Sequence, residues 1–156
     1  MAEKTGAYMF VPQPIGFLSS PYHQTSEIPK GLHAKHEAEG VLKLLPEFEP
    51  GLIDIEGFSH LFVLWEFHRS GDFDLVGIPP FDDRPHGVFA TRSPRRPNPI
   101  GLTVVELIRR ENASLHVRGV DMLDGTPILD IKPYLTSVPP ELLRRGWLAE
   151  AESRHK

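Results

Sequence analysis

Apolar residues come in short bursts along this chain, and most bursts end at a proline, a glycine or a charged pair. Ile15 to Ser19 is stopped by Ser20-Pro21, and Gly40 to Leu45 by Pro46, so both predict strands. Phe58 to His68, FSHLFVLWEFH, is nearly continuous in aromatic and large apolar residues. That pattern predicts a strand covered on both faces, the central one of the sheet. Gly87 to Thr91 predicts a further strand. Leu102 to Arg109 places Thr103, Val105 and Leu107 on one face and Leu102, Val104 and Ile108 on the other. Glu111-Asn112 then turns the chain into Ser114 to Val120, which predicts a hairpin. Asp124-Gly125 is the strongest turn signal, suited to a type I′ turn that sends Ile128 to Lys132 back along Gly119 to Leu123.

Pro29 to Glu39 has no clean period and predicts a loop. After Pro139-Pro140, Glu141 to Glu150 predicts a helix, with Leu142, Leu143 and Trp147 near one face and Gly146 as its weak point. Several short strands and one terminal helix predict a mainly β fold, a small single-sheet antiparallel β-barrel with a short C-terminal helix. The barrel domain is expected over 10–138 and the helical tail over 139–156.

Length and composition narrow this picture. A chain of 156 residues supports one core rather than two. No run of 18 apolar residues predicts a membrane span, and the N-terminus lacks the pattern of a secretory signal, so the expected compartment is the cytoplasm. The absence of cysteine removes disulfides and thiolate chemistry. A formal net charge of −4 argues against nonspecific coating of nucleic acid, and leaves only local basic patches for that task.

The glycines form neither the dinucleotide nor the P-loop pattern, and no G-x-S-x-G is present. His33 and His36, with Glu37, have a spacing that metal sites use, but they sit in a loop without a third anchored ligand, so no metal is expected. His60 and His68 share one face of the central strand, and His68 ends it beside Arg69, where a barrel mouth would collect a ligand. Thr91 to Pro99, TRSPRRPNP, is the least bland segment. It packs Arg92, Arg95 and Arg96 between Pro94, Pro97 and Pro99, which fix φ and stiffen the backbone carrying the guanidinium forks. Stiff arginines suit phosphate or carboxylate recognition, against the alternatives of an inert loop or a phosphorylated linker. A second cluster holds Asp121, Asp124, Asp130 and Lys132. Turn geometry accounts for Asp124, whereas Asp130, in a strand with Lys132 on its face, has to meet water, a partner or a ligand.

Four strings together, GVFATRSPRRPNPIGL (Gly87 to Leu102), DGTPILDIKPYL (Asp124 to Leu135), GFSHLFVLWEFH (Gly57 to His68) and SSPY (Ser19 to Tyr22), resemble one family. It is the TrmO family of tRNA N6-threonylcarbamoyladenosine methyltransferases, also called YaeB- or VirR-like. The resemblance implies a single-sheet β-barrel that binds S-adenosylmethionine, works as a homodimer and methylates N6 of threonylcarbamoyladenosine beside the tRNA anticodon. It places the cofactor contacts at Leu32, His33 and Ala34, at His68 and Arg69, at Arg92 and Leu102, and at Asp121, Met122, Leu123 and Asp124. Arg95, Arg96, Asn98 and Tyr134 are the residues expected to face RNA. Asp130, or Asp124, is the expected proton acceptor, with Lys132 beside Asp130. Longer members carry an additional C-terminal portion, whereas about twenty residues follow the shared core here, enough for one helix. Two other readings compete: a cofactor- or RNA-binding module without catalysis, and a methyltransferase for another substrate.

Overall fold

The computed structural model describes residues 9–30 and 34–155. Its strands are Gly16–Ser19 (β1), Glu39–Leu44 (β2), His60–Glu66 (β3), Val76–Gly77 (β4), His86–Gly87 (β5), Ile100–Glu111 (β6), Ser114–Arg118 (β7) and Pro127–Pro133 (β8), followed by the helix Trp147–Arg154 (α1). Six of the strands close into a barrel in the order β1-β2-β7-β6-β3-β8, every pair antiparallel. Closure removes the sheet edges, so short strands suffice. The small ribbon β4–β5 stands apart from the barrel.

Alternation decides what faces the core. In β3, Leu61, Val63 and Trp65 are buried, while Phe62, Leu64 and Glu66 stay half-exposed on the outer wall. The strand is therefore covered on one face only, because its uninterrupted apolar run lends its even positions to the outside of a barrel rather than to a second layer. Leu18, Leu42, Val105, Leu115, Val117 and Ile128 complete the interior with Leu61 and Val63. β6 and β7 form the predicted hairpin, with Asn112 in the left-handed region at its turn (φ 53°). A bulge in β6, between Leu107 and Arg109, lets this strand serve β3 with one half and β7 with the other.

Three predicted elements differ. Gly87 to Thr91 contributes two strand residues and then a 3₁₀ turn, Val88–Ala90. Gly119 to Leu123 is not the partner of β8, which pairs instead with β1 and β3. In that turn only Gly125 has positive φ (82°), with Thr126 N–H bonded to the Leu123 carbonyl, so the geometry is not type I′. The predicted helix starts at Trp147, not Glu141: Pro140–Leu142 is a 3₁₀ turn, and Gly146 takes φ 54°, ψ −134°, a conformation that side chains resist and that splits the segment.

One glycine governs the end of the barrel that carries the site. Gly101 lies directly opposite Trp65 in the β3–β6 register, and a Cβ there would sit 2.2 Å from the indole ring. The indole lies in the space that a side chain would take, and Phe67 meets it edge-on at 4.2 Å.

A candidate two-cavity site at the end of the barrel

The carboxyl ends of β1 and β3 and the amino ends of β6 and β8 meet at one rim, crossed by residues 119–126. The SSPY string locks that crossing. Ser20 N–H donates to Asp124 Oδ1 (2.9 Å), Ser20 Oγ donates to the Met122 carbonyl (2.7 Å), and Asp124 N–H donates to the Tyr22 carbonyl (2.7 Å). Backbone bonds between Leu18 and residues 125–126 finish the lock.

Two cavities open at this rim. One, about 350 Å³, is lined by Thr25 and Ile28, by His68 to Gly71, by Pro94 and Arg95, and by Asp121 to Leu123. The other, about 380 Å³, is lined by Thr91, Arg92, Arg96 and Asn98 and by Ile100 to Leu102. Both are of the size that holds a small organic ligand. Trp65, Phe67 and Asp121 belong to both walls, so they form the partition between the two.

The partition is hydrogen-bonded in one direction. An indole N–H can only donate, so Trp65 Nε1 gives its proton to Thr103 Oγ1 (3.0 Å), and the Thr103 hydroxyl must spend its own proton on Asp121 Oδ1 (2.7 Å). Thr103 is buried, and Asp121 is half-buried. Asp121 Oδ2 accepts no hydrogen bond among the described residues.

The arginine-rich loop is folded by its own side chains. Arg96 donates to the Thr91 and Ser93 carbonyls (both 3.1 Å), Arg95 pairs with Asp74 (3.3 Å), and Ser70 Oγ donates to the Pro94 carbonyl. Arg92 is exposed and makes no hydrogen bond or ion pair among the described residues, so its guanidinium remains available to an anion. Arg69 donates to the His23 carbonyl (3.1 Å), tying the end of β3 to the loop after β1.

The structure thus gathers His68, Arg69, Asp121, Met122, Leu123 and Arg95 around the first cavity and Arg92, Arg96, Asn98 and Leu102 around the second. Asp124 sits just behind the rim, its carboxylate bound to Ser20, with His23 3.9 Å away. Asp130, Lys132 and Tyr134 do not line either cavity. Asp130 is on the half-exposed part of β8, paired with Lys132 at 3.0 Å and accepting from the Ile131 N–H, while Tyr134 packs edge-on against Phe62. Ala34 is half-buried, and Leu32 and His33 lie outside the described residues. Trp65, Phe67 and Thr103 are site residues without a counterpart in the sequence reading. The parity that puts Thr103 on the face of Val105 was the available signal.

A separate cluster holds the tail. Asp82, whose side chain is fully buried, accepts from His86 Nε2 (2.7 Å) and from Arg154 of α1. Trp147 stacks on His86 (4.0 Å, 15°) and Phe81, and its indole N–H donates to the Ala90 carbonyl (2.8 Å). Asp82, Asp83 and His155 also bring ligand-type atoms within 4.8 Å of one another, but the Asp82 oxygens are already committed to His86 and Arg154. Among the described residues no helix is long and apolar enough to cross a membrane.

Comparison with known proteins bears on both the barrel and its rim. The tRNA-methyltransferase O N-terminal domain family model matches residues 17–139. A probable S-adenosyl-L-methionine-binding protein of Pyrococcus abyssi is 46% identical over 137 residues, covering 87% of this chain and 74% of that protein. The mouse tRNA (adenine(37)-N6)-methyltransferase is 38% identical over 130 residues, 79% of this chain and 30% of the mouse protein. The crystal structure of TrmO from Pseudomonas aeruginosa superimposes with a TM-score of 0.72 at 36% identity, over 89% of this chain and 62% of that one. The chain therefore spans less than two thirds of the bacterial structure and under a third of the mouse enzyme. The match of the family model through nearly the whole barrel, with the Pyrococcus relative covered over most of its length, shows that this chain belongs to the tRNA-methyltransferase O N-terminal domain family.

Proposed function

We propose that this chain is an S-adenosylmethionine-dependent methyltransferase acting on N6 of adenosine 37 of tRNA, with threonylcarbamoyladenosine as the acceptor nucleoside. The observation that carries this reading is the pair of adjoining cavities sharing one wall, because a two-substrate group transfer needs donor and acceptor held side by side. The rim fits the cofactor chemically: the apolar surfaces of Ile28, Trp65 and Phe67 suit an adenosine, and the polar groups of His68, Arg69 and Ser70 beside them suit its amino-acid end. When bound, that cofactor supplies an electrophilic methyl group.

The chain's own residues then orient and enclose. Arg92, without a partner among the described residues, is suited to an acceptor carboxylate, a cofactor carboxylate or an RNA phosphate, and Arg96 with its proline frame keeps that loop in place. Homodimerisation and a cytoplasmic location belong to the same proposal; Phe73, Leu75, Val76, Ile78 and Phe89, all exposed on the 72–90 arm, favour a partner over that surface. The direct test is nucleoside mass spectrometry after incubating the purified chain with S-adenosylmethionine and tRNA that carries unmethylated threonylcarbamoyladenosine. Gain of one methyl group on that nucleoside is expected. Binding of the cofactor without transfer, at enzyme in excess of tRNA, would leave a binding module instead.

A further inference from the structure

We propose that Asp121 accepts the proton displaced from N6 during methyl transfer, and that Thr103 and Trp65 are positioning residues for it; this assignment rests on the functional reading above. Placement is the first argument. Asp121 borders both cavities, so it stands at the boundary where donor and acceptor have to meet, whichever cavity takes which. Neither Asp124 nor Asp130 reaches that boundary: the first is bound to Ser20 behind the rim and the second is paired with Lys132 along β8.

Hydrogen bonding is the second argument. The Trp65 indole cannot accept, which forces the Thr103 proton onto Asp121 Oδ1 and fixes the plane of the carboxylate. Among the described residues, Oδ2 is left without a donor. A carboxylate on a residue that lines both cavities, with one oxygen anchored by a neutral hydroxyl and the other without a donor among the described residues, is arranged as a base, since it is oriented without being neutralised by a cation. The chemistry balances with that single acceptor. As the bond between N6 and the methyl carbon forms, the methyl–sulfur bond breaks with its electron pair staying on sulfur, and the N6 proton passes to Oδ2.

The experiment combines single-turnover methylation of threonylcarbamoyladenosine-bearing tRNA with calorimetry of S-adenosylmethionine and S-adenosylhomocysteine on the full chain. Asp121→Asn is expected to slow transfer at least about 100-fold, with both affinities within about threefold of the wild type, and formate is expected to restore part of the rate in Asp121→Ala. Thr103→Val, which keeps the carboxylate but frees it to rotate, is expected to lose about tenfold in rate, again at unchanged affinity. A rate in Asp121→Asn within threefold of the wild type overturns the assignment. So does loss of affinity for the sulfonium alone, which would make Asp121 a counter-ion. If Asp121→Asn binds neither ligand, Thr103→Val decides: a slowed rate upholds the assignment and an unchanged one overturns it. A wild type that transfers no methyl to this tRNA overturns the functional reading together with this one, whereas an active wild type with an active Asp121→Asn overturns this one alone.

Discussion

Two aspartates in this molecule sit in opposite circumstances. Asp82, where the tail meets the 79–90 segment, gives its oxygens to His86 and Arg154 and has no exposed side-chain surface. The hydrogen bond from His86, and then those from Arg154, hold its carboxyl well below the usual carboxylate range even though burial opposes them. Asp121, which lines both cavities at the rim, is held by one neutral hydroxyl, and its other oxygen has no donor among the described residues. A carboxylate whose oxygens are both taken by donors fastens two segments together, and one that is only oriented retains capacity for a proton or a ligand. The partners of each carboxylate separate the structural acid from the one proposed as a base.

The strongest way to break this contrast is to move the rim without touching Asp121. Gly101→Ala drives a methyl into an indole that is already pinned by Phe67 and Thr103. An unfolding stability lower by about 2 kcal/mol is expected from urea melts, together with a fall in turnover; a variant as stable and active as the wild type would show that the Trp65 frame is dispensable. Next is Trp147→Ala, which removes the ring stacked on His86 and the bond to the Ala90 carbonyl. Here faster tryptic cleavage at Arg144 and Arg145 is expected, with a stability loss of about 1 kcal/mol and S-adenosylmethionine affinity within threefold of the wild type. Cofactor affinity collapsing along with the tail would show the two regions to be one.

The third test uses acid. Because the folded carboxyl of Asp82 titrates below its unfolded value, its contribution is present in full above the ordinary carboxylate range, near pH 4, and is lost as pH falls through the depressed folded value. Protection of the tail in hydrogen exchange should therefore hold at pH 5 and decline only below about pH 4. Asp82→Asn should abolish that dependence while weakening the tail at every pH. The smallest effect is expected far from both acids. Glu39→Ala removes one arm of the exposed Arg118 pairing with Glu39 and Glu106, and the urea midpoint should not move measurably.

How far the sequence foretold this arrangement depended on whether a feature was local. Strands β1, β2, β6 and β7 and the Asn112 turn were legible because alternation and turn chemistry act over a few residues. The rigid Arg92–Asn98 loop was legible for the same reason, its prolines being visible in the string. What could not be read were facts of register. That Gly101 faces Trp65, that β8 turns to β1 and β3 instead of back along 119–123, and that Thr103 stands under Asp121 all depend on strands distant in sequence. Gly146 was recognised as a weak point of the helix, yet its backbone angles, which begin α1 six residues later than expected, are set in the same place as the contact of Trp147 with His86, a contact distant in sequence.

The excursion from β3 to β6 has a further consequence. Glu66 pairs with Ile100, and Phe67 N–H donates to the Pro99 carbonyl at 2.8 Å, so residues 67–99 leave the barrel and return at the same point. Only its two ends line the cavities, whereas the stretch from 72 to 90 does not. Closing a flexible loop costs only about 0.6 kcal/mol more for each doubling of its length. An insertion in the middle of the excursion would therefore leave the register of every barrel strand unchanged, its cost falling instead on the β4–β5 ribbon and on the Asp82 cluster that holds the tail.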